Sequence, residues 1–570
     1  MAIPPPIKVP NQPWFTRFFQ HWQETPSRVF IKDRETGEDT NFAEFLYEVI
    51  AHRDRLKKTL NEDVLRQLQE PNEEVFIAII ACGGLDFVVL LFAIYSLGGI
   101  AVPLRHHVHL EEARYFLGTC SAVLITSSRS ASPHASTLSA SLQIPHLSYT
   151  SSPKPPFEHI NFELDPDAST HFYNPTRGFA LLYTSGTTGS PKGALYTCSS
   201  ILRGTQNYES RLSLTSHDKW LHHSPAHWKG GFDFLLAGAY SGSLLEFCGS
   251  VFSPTYFWER VGRGGITCFL ASPTLLASLK ESLEQLDPQG RKRALNGLKD
   301  VRALLTGSMR VPDSVKDEWR ALRGGRELVN MYGFTEAGGM VSMTDWRAKG
   351  AASDNCGPHF PDFELKIDEQ GELCVKGPLL MKRYISTDPT VTPKAFDPEG
   401  FYKTGDMGKV TPDGEICIFG RANQDVVRFM GWKIQTSTLE DPLRTYPNIT
   451  QTFVLGVSDP VYGQRVAALL LQNPTAESDH LQDLKLADLR RWLAIEKEVP
   501  AYKLPTLLKV IRQDEFKGTT DSGKPSKKKI GDVYFKDFQD GKGGIQVWDL
   551  GVKEEFPGDR AWDWEGRPPI

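Results

Sequence analysis

A nearly uninterrupted apolar stretch from Val75 to Leu104 constrains the fold of this chain more than any other feature. The stretch is long enough to cross a bilayer, but it contains Asp86 and two Gly-Gly pairs. The glycines divide it into a short apolar run over 75–81, a segment of helical length over 85–97, and a second short run. Parallel strands that are covered on both faces have continuous apolar sequences of this kind. The stretch therefore predicts a buried strand-helix-strand unit rather than a membrane span.

Further strand-like runs alternate with longer helical segments. They are Ala122–Ser127, Phe179–Thr184, Gly265–Leu270 and Val301–Thr306. This alternation predicts an α/β fold with mostly parallel sheets. The segment 127–156 is rich in Ser and Pro and predicts a long surface loop. From about Gly371, turn sequences at 397–400 and 411–414 predict antiparallel hairpins and a second structural unit.

Length and charge exclude some classes of protein. The chain has 570 residues and a formal net charge of −5, so we expect roughly two to four structural units. The acidic balance argues against nucleic acid as a partner, because such proteins need clustered positive charge. The eight cysteines are scattered without zinc-type spacing and predict reduced thiols. Since neither a secretory signal nor an SKL-type terminus is recognisable, we expect a cytoplasmic protein without a transmembrane span.

Two loops combine glycine, hydroxyl side chains and lysine. The first, Tyr183-Thr-Ser-Gly-Thr-Thr-Gly-Ser-Pro-Lys-Gly193, follows an apolar run. Its composition fits either a phosphate site, in which backbone N–H groups and Lys192 face an anion, or a flexible turn. It is not a Walker A loop, because Lys192 is followed by Gly193 and another β-type run. The second, Gly518-Thr-Thr-Asp-Ser-Gly-Lys-Pro525, has the Walker spacing until Pro525 takes the place of the hydroxyl residue.

Three more motifs lie between these loops. They are Met331-Tyr-Gly-Phe-Thr-Glu336, Tyr402-Lys-Thr-Gly-Asp406, and Gly420-Arg421 with Asp425, Arg428 and Gly431. The five motifs, in this order, resemble those of the adenylate-forming (AMP-binding) superfamily, which includes acyl-CoA synthetases, adenylation domains and luciferases. The resemblance implies a large multi-subdomain N-terminal adenylation domain over 1–420. It also implies a small, mobile α+β C-terminal domain over 421–534, and it leaves 535–570 as an extension of unknown role.

The activity implied by the resemblance is ATP-dependent activation of a carboxylic acid. An acyl-adenylate and pyrophosphate would form first, and the acyl group would then pass to the thiol of CoA. The implied class is an AMP-forming acid–thiol ligase that uses ATP, Mg²⁺ and CoA. The alternatives are an acyl-AMP ligase that loads the phosphopantetheine of an acyl-carrier protein, a luciferase-like oxidoreductase, and a silent binding protein. The last would be expected to have lost Lys524, Glu336 or Asp406, and all three are present.

The resemblance also implies roles for the matched residues. Lys524 would stabilise charge at the α-phosphate, Glu336 would bind Mg²⁺, and Thr335 would contact the α-phosphate. The β- and γ-phosphates would be bound by Thr184, Ser185, Gly186, Thr187, Thr188, Gly189 and Lys192. The remaining nucleotide and CoA contacts would be Gly307, Ser308 and Tyr332 for adenine, Asp406 and Arg421 for ribose, and Gly431 beside the pantetheine channel.

The segment Ser224-Pro-Ala-His-Trp-Lys-Gly-Gly231 resembles the family's fourth motif. The resemblance makes His227 a gate at the carboxylate site, against the alternative of a packed histidine. The acyl pocket would be lined by Lys229, Gly230, Asp233, Thr306, Met331, Gly339 and Met340. A lysine at position 229 disfavours an α-amino acid, because it would repel the ammonium group. We hypothesise that Lys229 pairs with a polar group or second carboxylate of the substrate; the alternatives are solvent or Asp233. Gly338 and Gly339 leave room for a longer acyl chain.

Overall fold

The computed structural model describes residues 6–153, 156, 159–165, 174–184, 191–249, 252–347, 355–421, 425–429, 432–472, 484–520, 525–536, 538 and 543–550. The strands before residue 198 are β1 (Ile7–Pro10), β2 (Val29–Asp33), β3 (Glu38–Asn41), β4 (Phe76–Ile80), β5 (Ile100–Leu104), β6 (Leu124–Ser127), β7 (His146–Ser148), β8 (Phe162–Asp165), β9 (Gly178–Tyr183) and β10 (Gly193–Thr197). The helices of this part are α1 (Pro13–Glu24), α2 (Phe42–Thr59), α3 (Glu62–Gln69), α4 (Gly84–Ser96), α5 (Leu110–Cys120) and α6 (Ser132–Leu142).

The next part of the chain continues the same alternation. Its strands are β11 (Lys219–His222), β12 (Leu244–Phe247), β13 (Cys268–Leu270), β14 (Ala303–Thr306), β15 (Val329–Tyr332) and β16 (Ser342–Met343). Its helices are α7 (Cys198–Leu212), α8 (Lys229–Ser241), α9 (Pro254–Gly262), α10 (Pro273–Glu284), α11 (Pro288–Leu298) and α12 (Asp313–Leu322).

Strands dominate the rest of the chain. They are β17 (Asn355–Pro358), β18 (Glu364–Ile367), β19 (Glu372–Lys376), β20 (Arg383–Ile385), β21 (Tyr402–Val410), β22 (Glu415–Arg421), β23 (Val426–Phe429), β24 (Trp432–Gln435), β25 (Ile449–Asp459), β26 (Gly463–Gln472), β27 (Leu507–Arg512) and β28 (Gln546–Val547). The helices are α13 (Val391–Lys394), α14 (Ser437–Arg444), α15 (Leu486–Glu496) and α16 (Lys527–Tyr534).

Two large, mostly parallel sheets form the first part of the molecule. One has the strand order β20-β10-β9-β5-β4-β6-β7, and the other has the order β16-β15-β14-β13-β11-β12-β2-β3. Pairing is antiparallel only at β9-β10-β20 in the first sheet, and at β15-β16 and β2-β3 in the second. The predicted α/β class with mostly parallel sheets is therefore confirmed.

The apolar stretch from Val75 to Leu104 forms the predicted strand-helix-strand unit. Strands β4 and β5 pair in parallel, and every residue of α4 between them is buried. The carboxylate of Asp33 accepts a hydrogen bond of 2.9 Å from the backbone N–H of Leu85, which fixes the start of α4 to β2 of the other sheet. Among the described residues, no helix is long and apolar enough to cross a membrane.

The prediction of a long surface loop over 127–156 is wrong, because this segment contains α6 and β7. Helix α6 begins with Pro133 in its first turn, where proline is well tolerated. Ala135 and Leu138 lie three residues apart and are buried on one face. Strand β7 then pairs in parallel with β6. The serines conceal this pattern in the composition. Two of them bond to nearby backbone oxygens, Ser136 to Ser132 within the helix and Ser139 to Ile144 just beyond it.

The later part of the chain has two smaller sheets. Strands β17-β22-β21-β19-β18 form an antiparallel sheet, and the predicted turn at 411–414 joins β21 to β22. The last sheet has the order β24-β23-β26-β27-β28, with β25 on β26. The described part of the C-terminal extension packs on this last sheet, because β28 pairs with β27 and Trp548 lies 4.4 Å from the guanidinium carbon of Arg490.

Candidate functional site

The first glycine-rich loop is the connection of an antiparallel hairpin between β9 and β10. Tyr183 is paired with Gly193, and the backbone N–H of Thr184 donates to the carbonyl of Lys192 at 2.9 Å. The N–H of Lys192 in turn lies 3.3 Å from the hydroxyl oxygen of Thr184. The two ends of the loop are thus fixed to each other. The predicted phosphate contacts Ser185, Gly186, Thr187, Thr188 and Gly189 lie outside the described residues.

Hairpin β9-β10 places Lys192 beside a tyrosine of the neighbouring strand β20. The Lys192 ammonium lies 5.4 Å from the centroid of the Tyr384 ring. The Tyr384 hydroxyl donates a hydrogen bond to the carboxylate of Glu336, and it lies 3.1 Å from the hydroxyl of Tyr402. Burial raises the pKa of Tyr384, so this hydroxyl remains a proton donor. The predicted phosphate-binding lysine and the predicted Mg²⁺ ligand therefore share one tyrosine.

Thr335 and Glu336 lie on the segment that follows β15 of the other large sheet. The hydroxyl of Tyr196, which is in β10, donates to the carbonyl of Thr335. The carbonyl of Glu336 accepts a bond of 2.7 Å from the N–H of Met381. The segment that carries both predicted catalytic residues is thus attached to β10 of the first sheet and to the residues that lead into β20.

Asp406 is buried and has two charged or polar partners. It accepts 2.7 Å from the Tyr332 hydroxyl and 2.8 Å from Nε of Arg421. Arg421 also donates to the carbonyl of Thr404 at 3.0 Å. Burial raises the pKa of Asp406, and the charge of Arg421 opposes this effect. The structure therefore brings together Tyr332, Asp406 and Arg421, three residues that the sequence assigned to one nucleoside.

The predicted adenine residues follow the end of β14. Ser308 has a φ of +70°, and a Cβ on Gly307 would lie 2.8 Å from the carbonyl oxygen of Met331. A side chain at position 307 would therefore separate the ends of β14 and β15. Thr306, the last residue of β14, is fully buried and its hydroxyl has no hydrogen-bond partner. This hydroxyl is an unsatisfied polar atom at the predicted acyl pocket.

His227 lies between β11 and α8. Burial, and to a lesser extent the charge of nearby Arg105, lowers its pKa to about 4. Its Nδ1 atom is buried without a hydrogen-bond partner. The imidazole is therefore neutral at physiological pH, which suits a gating side chain better than a charged one.

Lys229 and Asp233 form a buried ion pair one turn apart in α8. The side chains are 8% and 2% exposed. Burial lowers the pKa of Lys229 and raises that of Asp233, while the attraction between the two charges opposes both effects. The alternatives for Lys229 were a substrate group, solvent and Asp233, and the structure shows the contact with Asp233.

The glycines expected to leave room for a long acyl chain are covered by helix α7. A Cβ on Gly339 would lie 3.0 Å from the Cα of Gly204 in α7. One on Gly338 would lie 3.1 Å from the Cβ of Ser200 in α7 and 2.7 Å from the carbonyl oxygen of Leu379. Their small size permits α7 to approach this segment closely. The expected room at Gly338 and Gly339 is therefore taken up by the protein itself. Gly230 lies elsewhere, at the start of α8, and a Cβ there would contact Leu270 at 3.4 Å.

Lys524 and Gly431 lie outside the described residues, but the two ends of the Lys524 loop are described. Thr519 and Pro525 form an isolated β-bridge. Lys527, at the start of α16, is bound by Asp425 at 2.6 Å and Glu440 at 2.8 Å. The base of the predicted lysine loop is thus attached to a residue of the Gly420-Arg421 motif.

Comparison with known proteins agrees with the arrangement of these residues. Residues 54–385, more than half of the chain, match the family described as AMP-binding enzyme. The chain belongs to the AMP-binding enzyme family. A malonate–CoA ligase of Arabidopsis thaliana is 30% identical over 462 residues, which cover 76% of this chain and 74% of that protein. The acyl-CoA ligase oryP of Aspergillus oryzae is 29% identical over 560 residues, which cover 96% of this chain and 97% of that protein.

The fold of an AMP-binding enzyme is also found among solved structures. ATP-bound MatB from Rhodopseudomonas palustris superposes with a TM-score of 0.73 at 20% identity, covering 91% of this chain and 98% of that one. The predicted family, fold class and enzyme class, an AMP-forming acid–thiol ligase, are confirmed by these matches.

The residues present fit the Mg²⁺ of an AMP-binding enzyme. In the part of the chain that the structure describes, no group of three or more His, Cys, Asp or Glu could hold a metal ion. A single carboxylate such as Glu336 suits Mg²⁺, which takes its other ligands from water and substrate phosphates.

Sequence reasoning missed the tyrosines that position this site. Tyr384, Tyr196 and Tyr208 belong to no recognised motif, and each donates to a carboxylate or carbonyl of the site. Their partners are 48, 139 and 25 residues away along the chain. An aromatic residue in a strand or helix is ordinarily part of the core, so no local signal distinguishes them.

Proposed function

We propose that this AMP-binding enzyme is an ATP-dependent acyl-CoA ligase for small carboxylic acids. The observation that carries the proposal is the convergence of three motifs on neighbouring tyrosines. Tyr384 contacts both Lys192 and Glu336, and its hydroxyl lies beside that of Tyr402, the first residue of the strand that carries Asp406. A flexible turn and two unrelated segments would have no reason to meet in this way.

In the first step, a carboxylate oxygen of the acid attacks the α-phosphorus of ATP, and the bond to pyrophosphate breaks. Lys192 and the loop 184–192 would bind the leaving phosphates, and Asp406 with Arg421 would fix the ribose. Glu336 would bind Mg²⁺, which supplies positive charge beside the phosphates. We assign Lys524 to the charge that develops between the carboxylate and the α-phosphate.

In the second step, the thiolate of CoA attacks the acyl carbonyl carbon, and AMP leaves with the electron pair of the cleaved C–O bond. We propose the neutral imidazole of His227 as the gate at the carboxylate site. We propose that Gly431 borders this approach, as the resemblance implies.

The proposal also covers the identity of the acid. Gly338 and Gly339 are covered by α7, so this side of the pocket supports a short acid rather than a long fatty acid. Malonate is the first acid to test, because the Arabidopsis thaliana relative is named a malonate–CoA ligase. Lys229 is already neutralised by Asp233, which makes it a weak attractant for a second carboxylate.

The test is ATP-dependent pyrophosphate release with malonate, other dicarboxylates, and aliphatic and aromatic acids, each with and without CoA. We expect thioester only when CoA is present, and no pyrophosphate with Lys524→Ala. Pyrophosphate and hydroxamate without a CoA thioester would indicate a carrier-protein acceptor. Light or an oxidised acyl product would indicate the luciferase-like alternative. No release with any acid would contradict the proposal.

We further propose the cytoplasm as the site of action. All eight cysteines are free thiols in the structure, as expected in a reducing compartment. Fluorescence imaging of a tagged full-length chain tests this, and accumulation in mitochondria or peroxisomes would contradict it.

A further inference from the structure

The buried ion pair in α8 is connected to the catalytic segment at both ends. Asp233 accepts a bond of 2.7 Å from the hydroxyl of Tyr208 in α7. The same hydroxyl oxygen accepts 2.6 Å from the backbone N–H of Met340. Burial raises the pKa of Tyr208 far above its ordinary value, so its proton stays on the hydroxyl and is donated to Asp233.

A second connection runs from Lys229. Its ammonium lies 5.5 Å from the centroid of the Tyr196 ring, and the Tyr196 hydroxyl donates to the carbonyl of Thr335. One buried pair is therefore linked through one tyrosine to residue 335 and through another to residue 340. Glu336 lies between these two attachment points.

Replacing a buried ion pair by two apolar residues of similar size is often neutral or stabilising. The first turn of a helix is also an unfavourable place for a cation, because the N-terminus of the helix dipole is positive. Stability alone therefore gives no reason for a lysine at position 229. An ionised Asp233, in contrast, is a stronger acceptor for Tyr208 than a neutral group would be.

We propose that Lys229 and Asp233 are a positioning pair for the segment Thr335–Met340, which they hold in place through Tyr208 and Tyr196. The pair sets where Glu336 and Thr335 stand relative to Mg²⁺ and the α-phosphate, and it does not contact the acid. This inference rests on the proposed function where it is tested by catalysis. Equilibrium binding of Mg·ATP gives a second readout that does not depend on catalysis.

The experiment compares Lys229→Met, Tyr208→Phe and their double variant in the full-length enzyme. Melting temperature, kcat, KM for the acid, the half-saturating Mg²⁺ concentration and calorimetric binding of Mg·ATP are measured for each. We expect each single variant to lose about tenfold to hundredfold in kcat and to need more Mg²⁺, with the KM for the acid within about twofold. The double variant should lose little more than either single one, because both changes break the same connection. Lys229→Arg, which keeps the positive charge, should retain most of the wild-type activity.

The matched control is a second largely buried ion pair whose bonds do not involve Tyr196, Tyr208 or the segment Thr335–Met340. Arg260 and Glu246 bond at 2.5 and 2.8 Å with side chains 13% and 9% exposed. Arg260→Met should lower the melting temperature and leave the kcat and Mg²⁺ requirement of the folded enzyme unchanged. If Lys229→Met does not fold, Lys229→Met/Asp233→Leu, which leaves no buried charge, takes its place with the same expected losses.

Three results would overturn the inference. Lys229→Met that loses stability but keeps kcat and the Mg²⁺ requirement would make the pair purely structural. A change confined to the KM or identity of the acid would make Lys229 a substrate contact. If the fold-losses in kcat of Lys229→Met and Tyr208→Phe multiplied fully in the double variant, the two residues would act independently. If the wild-type enzyme activates no acid, the proposed function fails, and Mg·ATP binding by the same variants still decides this inference.

Discussion

Among the individual residues of the site, the carboxylates share one arrangement. Glu336, Asp406 and Asp233 each accept a hydrogen bond from a tyrosine hydroxyl, those of Tyr384, Tyr332 and Tyr208. Burial raises the pKa of all three tyrosines. A tyrosine donor orients a carboxylate and leaves lone pairs for a second partner, which is Arg421 at Asp406 and Lys229 at Asp233.

The substitution Asp406→Asn tests this arrangement. It removes the partner charge of Arg421 and leaves one acceptor oxygen where ribose would bind. We expect kcat/KM for ATP to fall by about tenfold to hundredfold, with a smaller change in the KM for the acid. Asp459→Asn is the control, because Asp459 is a buried partner of Arg465 at 2.8 Å in the last sheet. If Asp406→Asn left kcat/KM for ATP at the control's value, Asp406 would not bind the nucleotide.

Helix α7 packs closely against the segment that contains Gly338 and Gly339. Gly204 lies against the carbonyl of Gly338 and the Cα of Gly339, so any side chain at 204 would push the helix away from the catalytic segment. The close approach also brings Tyr208, one turn further along α7, to Asp233 and Met340.

We predict that Gly204→Ala lowers the free energy of unfolding by about 1–3 kcal/mol through overpacking and also reduces pyrophosphate release. Gly118 in α5 is the matched control, because a Cβ there would have open space around it. Gly118→Ala should stabilise the protein by about 0.5–1 kcal/mol, since alanine is the better helix former. Chemical unfolding of both variants measures the difference, and equal effects would contradict the assigned role of Gly204.

Helix α2 carries a histidine that should make stability depend on pH. His52 is fully buried, both of its ring nitrogens lack hydrogen-bond partners, and burial lowers its pKa to about 4. The native state keeps His52 neutral, while the unfolded chain takes up a proton below about pH 6.5. Stability is therefore lost as the pH falls from about 6.5 towards 4, by roughly 2 kcal/mol at pH 5 for this one residue.

The measurement is the chemical unfolding of wild type and His52→Phe at pH 7 and pH 5. The variant should lose less stability between the two pH values than the wild type. His217→Gln, at an exposed position, should keep the wild-type difference. An unchanged pH dependence in His52→Phe would contradict the buried neutral state.

Local sequence predicted the elements that carry the motifs much better than it predicted their partners. The apolar runs at 75–81 and 301–306 became strands, because parallel strands need continuous apolar sequence. The contact between Glu336 and Tyr384, or between Tyr208 and Met340, depends on which elements the fold places side by side. Helix α6 was missed because its serines obscured a short apolar face.

At the scale of the whole molecule, the described residues include an ion pair between the part that contains the large sheets and helix α14 of the later part. Arg310, just after the predicted adenine residues, contacts Asp441 of α14 at 2.6 Å. We propose that residues 1–420 and 421–534 act as two units that reorient between the two steps, as the resemblance implies. The pair would then stabilise only the orientation that this structure shows.

Asp441→Ala should therefore change the ratio of the adenylation and thioester-forming rates by about threefold or more, because it removes a half-buried ion pair from one orientation only. Single-turnover measurements of pyrophosphate and thioester formation give the two rates. Asp514→Ala, at an exposed pair with Arg512, is the control and should leave the ratio unchanged. An unchanged ratio in Asp441→Ala would show that this contact does not select an orientation.

The central claim is that the residues gathered around Tyr384 and Asp406 activate an acid with ATP and pass it to CoA. Its most direct test is the formation of acyl-CoA and pyrophosphate by the purified full-length chain, with malonate first and the wider acid panel beside it. We predict one pyrophosphate per thioester, dependence on Mg²⁺ and CoA, and loss of both products in Glu336→Gln and Lys524→Ala. Thioester formation that persists in both variants, or an absence of pyrophosphate with every acid, would contradict the claim.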